Sequence, residues 1–133
     1  NLFLRSSFGI SLTNNTHTNK TMLGFFKKMF EGGDSNELQQ YIKDRAFLVD
    51  VRTPEEFELG SAEGAVNIPL NEVNNKLSEF KSKDKIVVFC KSGVRSGQAK
   101  SILENNGIEN VINGGSYQNV IQAVEIHKND GFN

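Results

Sequence analysis

The sequence contains one cysteine, two histidines and no tryptophan in 133 residues. A lone Cys90 excludes an intramolecular disulfide and a metal cluster built on thiolates. His17 and His127 lie towards opposite ends of the chain, so neither a metal site nor a Cys–His catalytic pair is expected. An excess of either charge is missing as well, with 15 basic against 16 acidic residues and a net charge of −1. There is thus no basic field for nucleic acid and no acidic tail. Long apolar runs are also absent. Met22–Phe30 is short, apolar and basic, well below the roughly 20 residues that cross a bilayer, and reads as a turn or two of helix packed on the domain rather than touching a membrane. No secretory signal is visible, and a single free thiol agrees with a reducing compartment, so a cytoplasmic setting is expected.

What is present fits one compact domain with a core of normal size. Residues 1–34 read as an N-terminal extension, disordered or loosely packed. Their first part is rich in Asn, Ser and Thr without an acidic residue, and Glu31-Gly32-Gly33-Asp34 reads as a linker. Residues 35–128 form the domain proper and 129–133 a tail. From Ser35 the pattern alternates between helix and strand. Ser35 to Asp44 is a helix with Leu38, Tyr41 and Ile42 inward, and Ala46 to Val51 a strand. Thr53-Pro54-Glu55-Glu56 is a capping box with proline at the first helical position. Ala65 to Ile68 is a brief strand stopped by Pro69, and Leu70, Val73, Leu77 and Phe80 follow helical spacing. After the strand ending at Cys90 come a helix from Ser96 to Asn106 stopped by Gly107, and a short strand Asn110-Val111-Ile112. Gly114-Gly115 reads as a turn, and Val120, Ile121 and Val124 mark a last helix. Such alternation predicts an α/β fold, a mainly parallel sheet with helices on both faces.

The chemistry concentrates in Lys85–Gly97. Ile86-Val87-Val88-Phe89 is the apolar, β-branched run of a strand buried on both faces, and Cys90 ends it in a strand-to-helix turn. The carboxyl ends of parallel strands are where such sheets bind ligands. The next helix aims unpaired N–H groups and its positive dipole end at that turn, and Lys91 and Arg95 add full charges. All of these favour a thiolate. A free cysteine is often only a small buried hydrophobe. Lys91, Ser92, Gly93 and Arg95, however, make a poor core and a good anion-binding concavity.

Asp50-Val51-Arg52, Pro54, Glu56-Phe57, Gly60, Gly64-Ala65-Val66-Asn67-Ile68-Pro69, Cys90-Lys91-Ser92-Gly93-Val94-Arg95-Ser96 and Gly114-Gly115 occur in that order. In this the chain resembles a single-domain rhodanese from about Ser35 to Ile126. The resemblance implies a sheet of about five strands and a sulfurtransferase needing no cofactor. Cys90 would take sulfane sulfur from thiosulfate or polysulfide, hold it as a persulfide, and pass it to a thiol, cyanide or an acceptor protein. Loop amides from Lys91 to Ser96, including Ser92, Gly93 and Val94, would bind the anionic sulfur. Arg95, and with less force Lys91, would bind an oxyanion donor. Asp50, Arg52 and Glu56 are expected to support neighbouring loops, with Glu56 a candidate partner for Arg52.

Four residues separate Cys90 from Arg95. Related phosphatases and arsenate reductases of this fold use a loop one residue longer, and no acidic residue in this one could protonate a leaving alcohol. Two departures from the family pattern, Gly60-Ser61 where Gly-His is usual and Tyr117 where tryptophan is frequent, bear on donor and acceptor preference. The alternative to an enzyme is a non-catalytic module that keeps the fold to bind a partner or sense sulfur species.

Overall fold

Strand β3, Ile86–Cys90, is buried at every position, and the rest of the chain is layered about it. In the computed structural model, which describes residues 35–130, the elements run α1 Ser35–Lys43, β1 Phe47–Asp50, α2 Pro54–Glu58 and β2 Val66–Asn67. A 3₁₀ segment Leu70–Lys76 follows, then α3 Leu77–Lys81, β3, α4 Val94–Asn105, β4 Val111–Ser116 and α5 Tyr117–Asp130. The readings made for residues 1–34, the Met22–Phe30 turn included, and for 131–133 lie outside the described residues.

The sheet order is β2-β1-β3-β4 with every pairing parallel. Side chains alternate across a strand, so β3 feeds two cores. Ile86, Val88 and Cys90 join Val49, Val51, Phe80, Ala99 and Leu103 beneath α3 and α4, whereas Val87 and Phe89 join Leu38, Ile42, Val120 and Ala123 beneath α1 and α5. Phe80 is fully buried and meets Phe47 edge to face with centroids 5.8 Å apart. Each such buried apolar side chain stabilises the fold by roughly 1.5–3 kcal/mol. Because all strands are parallel, Asp50, Asn67, Cys90 and Ser116 end at one edge of the sheet.

In its elements the structure departs from the sequence reading at several points. The sheet has four strands among the described residues, not about five. Every extended apolar run in that region is already used, since the chain turns helical after Pro69 and passes directly from β4 into α5. Gly114 and Gly115 are not a turn but part of β4, where the register against β3 slips between Val88 and Phe89. An extra residue in one strand of a pair makes such a bulge, and Gly115 supplies the positive φ of 84° there. Finally, Leu70–Lys76 winds as 3₁₀ rather than α. Asn71, Asn74 and Asn75 are weak α-formers, and Leu70 and Val73 sit at the three-residue period that aligns on a 3₁₀ turn.

Candidate active site

Cys90 closes β3 and is 1% exposed, at the floor of the turn that leads into α4. Gly93 caps α4 with φ 100°, a left-handed conformation that glycine adopts at little cost. That twist turns the Gly93 N–H back onto the Cys90 sulfur at 3.0 Å. The Ser96 hydroxyl reaches the same sulfur at 3.5 Å. Burial pushes the thiol up, but the Ser96 hydroxyl and the amides of Ser96, Ser92 and Gly93 outweigh it and hold Cys90 below its ordinary value of 9.0. The sulfur is therefore packed in the core on one side and lined with donors on the other.

A residue that the sequence reading missed lies directly behind this cradle. Asn113, from β4, is buried; it accepts the Ser96 hydroxyl at 2.7 Å, accepts the Gly115 N–H at 2.9 Å, and donates to the Gly93 carbonyl at 2.9 Å. The sequence did hold a signal for it. An amide that directly follows the apolar pair Val111-Ile112 must be satisfied somewhere when the strand is buried.

Arg95, on the first turn of α4, donates to Glu56 through both terminal nitrogens, at 2.7 and 3.1 Å. Glu56 is set up for this by the capping box of α2. The Thr53 hydroxyl accepts the Glu56 N–H, while the Glu56 carboxylate accepts from the Thr53 N–H and hydroxyl. The pairing expected between Glu56 and Arg52 is thus corrected. Arg52 is buried and turns to Asp50 instead, Nη2 lying 2.7 Å from Oδ2, with a further donation to the Gly60 carbonyl at 2.6 Å. A buried guanidinium needs a charged partner to offset its lost hydration, and Asp50, two residues away at the end of β1, supplies it. Asp50 also accepts the Ser61 hydroxyl at 2.7 Å, so the departure at position 61 is absorbed by this cluster. Asn67 ties the Asp50 and Arg52 carbonyls together, both at 3.0 Å.

The Arg52 guanidinium also stacks on the Tyr117 ring, 3.8 Å from its centroid. Arg52, Glu56, Leu59, Gly60, Lys91 and Tyr117 line a cavity of about 180 Å³ beside the loop, with Leu59 almost wholly exposed at its rim. Lys91, Ser92 and Val94 are exposed. Of the two cations expected to flank the sulfur, Arg95 is paired with a carboxylate, whereas Lys91 makes no ion pair among the described residues. Cys90, Gly93 and Ser96 share one hydrogen-bonded network with Asn113, Arg95 and Glu56 form an ion pair of their own, and Asp50 and Arg52 form another.

Comparison with known proteins matches residues 34–122 to the Rhodanese-like domain family. The Bacillus subtilis protein YqhL is 39% identical over 69 residues, 52% of this chain and 55% of that protein, so the match spans about half of its length. The thiosulfate sulfurtransferase PspE of Escherichia coli is 38% identical over 74 residues, covering 54% of this chain and 71% of PspE. Among solved structures, the human single-domain sulfurtransferase TSTD1 superposes with a TM-score of 0.56 at 29% identity, over 65% of this chain and 91% of that one.

Proposed function

This chain belongs to the rhodanese-like domain family, and from that premise we propose that it is a sulfurtransferase whose travelling sulfur is carried on Cys90. The Cys90 thiolate attacks the outer sulfur of a donor such as thiosulfate or a polysulfide. One sulfur–sulfur bond forms at Sγ as the donor's own bond breaks, and sulfite or the shortened polysulfide leaves with the electron pair. The terminal sulfur of the resulting persulfide bears the negative charge, and loop amides from Lys91 to Ser96 bind it without reorganising. A thiolate or cyanide then attacks that sulfur and restores the Cys90 thiolate. These 133 residues hold no second cysteine, so an acceptor thiol lies outside them, on a small molecule or a protein.

The observation that carries this reading is the Gly93 N–H aimed at the Cys90 sulfur at 3.0 Å. A core cysteine has no need of a left-handed glycine presenting an amide to it. The relative PspE, a thiosulfate sulfurtransferase, supports the same reaction class. In this proposal Lys91 draws an anionic donor to the mouth of the loop. Arg95 braces the cradle through Glu56 and offers the donor its remaining N–H groups, since only the two terminal nitrogens are engaged. Ser92, Val94 and Ser96 complete the loop.

Mass spectrometry of the intact protein after thiosulfate or polysulfide treatment tests the proposal. The wild type should gain one sulfur atom, cyanide should remove it, and Cys90→Ser should gain none. No adduct on the wild type with either donor overturns the reading in favour of a non-catalytic module.

A further inference from the structure

Three hydrogen bonds fix the Asn113 amide. Its Nδ2 donates to the Gly93 carbonyl and its Oδ1 accepts from the Gly115 N–H, both at 2.9 Å. The reverse amide orientation would set donor against donor and acceptor against acceptor, so Oδ1 must face Ser96. The Ser96 hydroxyl has a single hydrogen and two acceptors within reach: Oδ1 of Asn113 at 2.7 Å and the Cys90 sulfur at 3.5 Å. It cannot serve both. With Cys90 as a neutral thiol, or with its Sγ already bonded to a second sulfur, the shorter contact to Asn113 holds the hydrogen. With Cys90 ionised, the charge-assisted bond to sulfur is the stronger.

We propose that Asn113 is a positioning residue for the sulfur chemistry: it gives the Ser96 hydroxyl hydrogen an alternative acceptor, so that the hydroxyl turns to the sulfur when the thiolate is bare and away when the sulfur is capped. Ionisation sends the thiol proton to bulk water, and the only internal change is rotation of one hydroxyl. Asn113 therefore favours the sulfur-loaded state over the empty thiolate, since only the empty thiolate must take the hydrogen from it. This inference rests on reading Cys90 as the nucleophile. The charged and titratable groups about the cradle are Lys91 and Arg95 beside it, Glu56 from α2, Asp50 and Arg52 at the end of β1, and Tyr117 at the start of α5. All six are retained in the variants below, so the field they exert is common to every comparison.

The experiment is the pH profile of Cys90 alkylation by iodoacetamide, which reads the thiolate fraction whether or not the protein transfers sulfur. A failed sulfur-adduct assay and a failed profile are thus separate results. In Asn113→Ala the hydrogen has only the sulfur to serve, and the inflection should fall by about half to one pH unit, the worth of one ordinary hydrogen bond. In Ser96→Ala it should rise, and adding Asn113→Ala to Ser96→Ala should not move it further. A purely structural Asn113 would loosen the Gly93 amide instead and raise the inflection in both backgrounds. An unmoved or raised inflection in Asn113→Ala, or an equal shift with and without Ser96, overturns the proposal. If Asn113→Ala does not fold, Asn113→Asp, which keeps the acceptor oxygen, decides: its inflection should rise more with Ser96 present than with Ser96→Ala, and an equal rise overturns the proposal.

Discussion

At the scale of single residues, the pair formed by Glu56 and Arg95 sets a measurable acid limit. Arg95, with help from the Thr53 amide, lowers the Glu56 carboxyl from 4.5 to about 2. A carboxyl depressed in the folded state contributes stability that is complete above its unfolded value, near 4.5, and that is lost as pH falls towards 2. Urea midpoints measured between about pH 6 and pH 2.5 should fall for the wild type and fall less for Glu56→Gln. The slope remaining in that variant belongs partly to Asp44 and Glu63, which Lys85 and Lys128 lower in the same sense from exposed positions. Sequence alone located Glu56 and Arg95 but could not pair them. Arg52 lies four residues from Glu56 and Arg95 lies 39 away, and only the folded sheet edge shows that the nearer arginine is already held by Asp50. Asn113 escaped for the same reason, because all three of its partners come from other turns of the chain or across the bulge.

Single elements make a second set of expectations. Helix α2 buries no residue, so its position depends on its cap rather than on packing. Thr53→Ala removes the hydroxyl that accepts the Glu56 N–H and should cost about 1 kcal/mol in chemical denaturation. The same change should leave Arg95 less firmly held. In β4, a Cβ built on Gly114 would come within 2.8 Å of both Val120 and Val87, two buried side chains of one core. Gly114→Ala should therefore cost about 1–3 kcal/mol by overpacking, read as a lower denaturation midpoint with unchanged slope. Elements with local chemistry were legible in advance. The capping box of α2 and the stop at Gly107, whose N–H binds the Glu104 carbonyl with φ 82°, need only neighbours in sequence. The Gly114-Gly115 bulge was not legible, because a glycine pair reads as a turn until the partner strand shows that the ladder continues through it.

For the whole molecule, the central position of β3 couples the stability of the fold to the geometry of the site. Phe80 is the largest fully buried side chain in the core that Cys90 shares. Phe80→Ala should cost about 3–5 kcal/mol, a large part of the stability of a small domain, and thermal unfolding followed by circular dichroism measures it. Both sheet edges are guarded: β2 has only two residues, and β4 is broken by its bulge. Short or irregular edges resist pairing with a second chain. The layered α/β plan was legible because β3 reads as a doubly buried strand and α1, α4 and α5 carry inward apolar residues such as Leu38, Leu103 and Val120. The count of about five strands was not a reading of this chain's own runs, which supply four among the described residues.

The stacking of Arg52 on Tyr117 has an optical consequence. The chain has no tryptophan and only two tyrosines, and the other, Tyr41, lies under Lys85 at the opposite edge of the sheet. Intrinsic ultraviolet emission therefore comes from one fluorophore at the mouth of the loop and one remote from it. In a Tyr41→Phe background the first alone remains, and its brightness becomes a label-free signal of what enters the cavity beside Cys90.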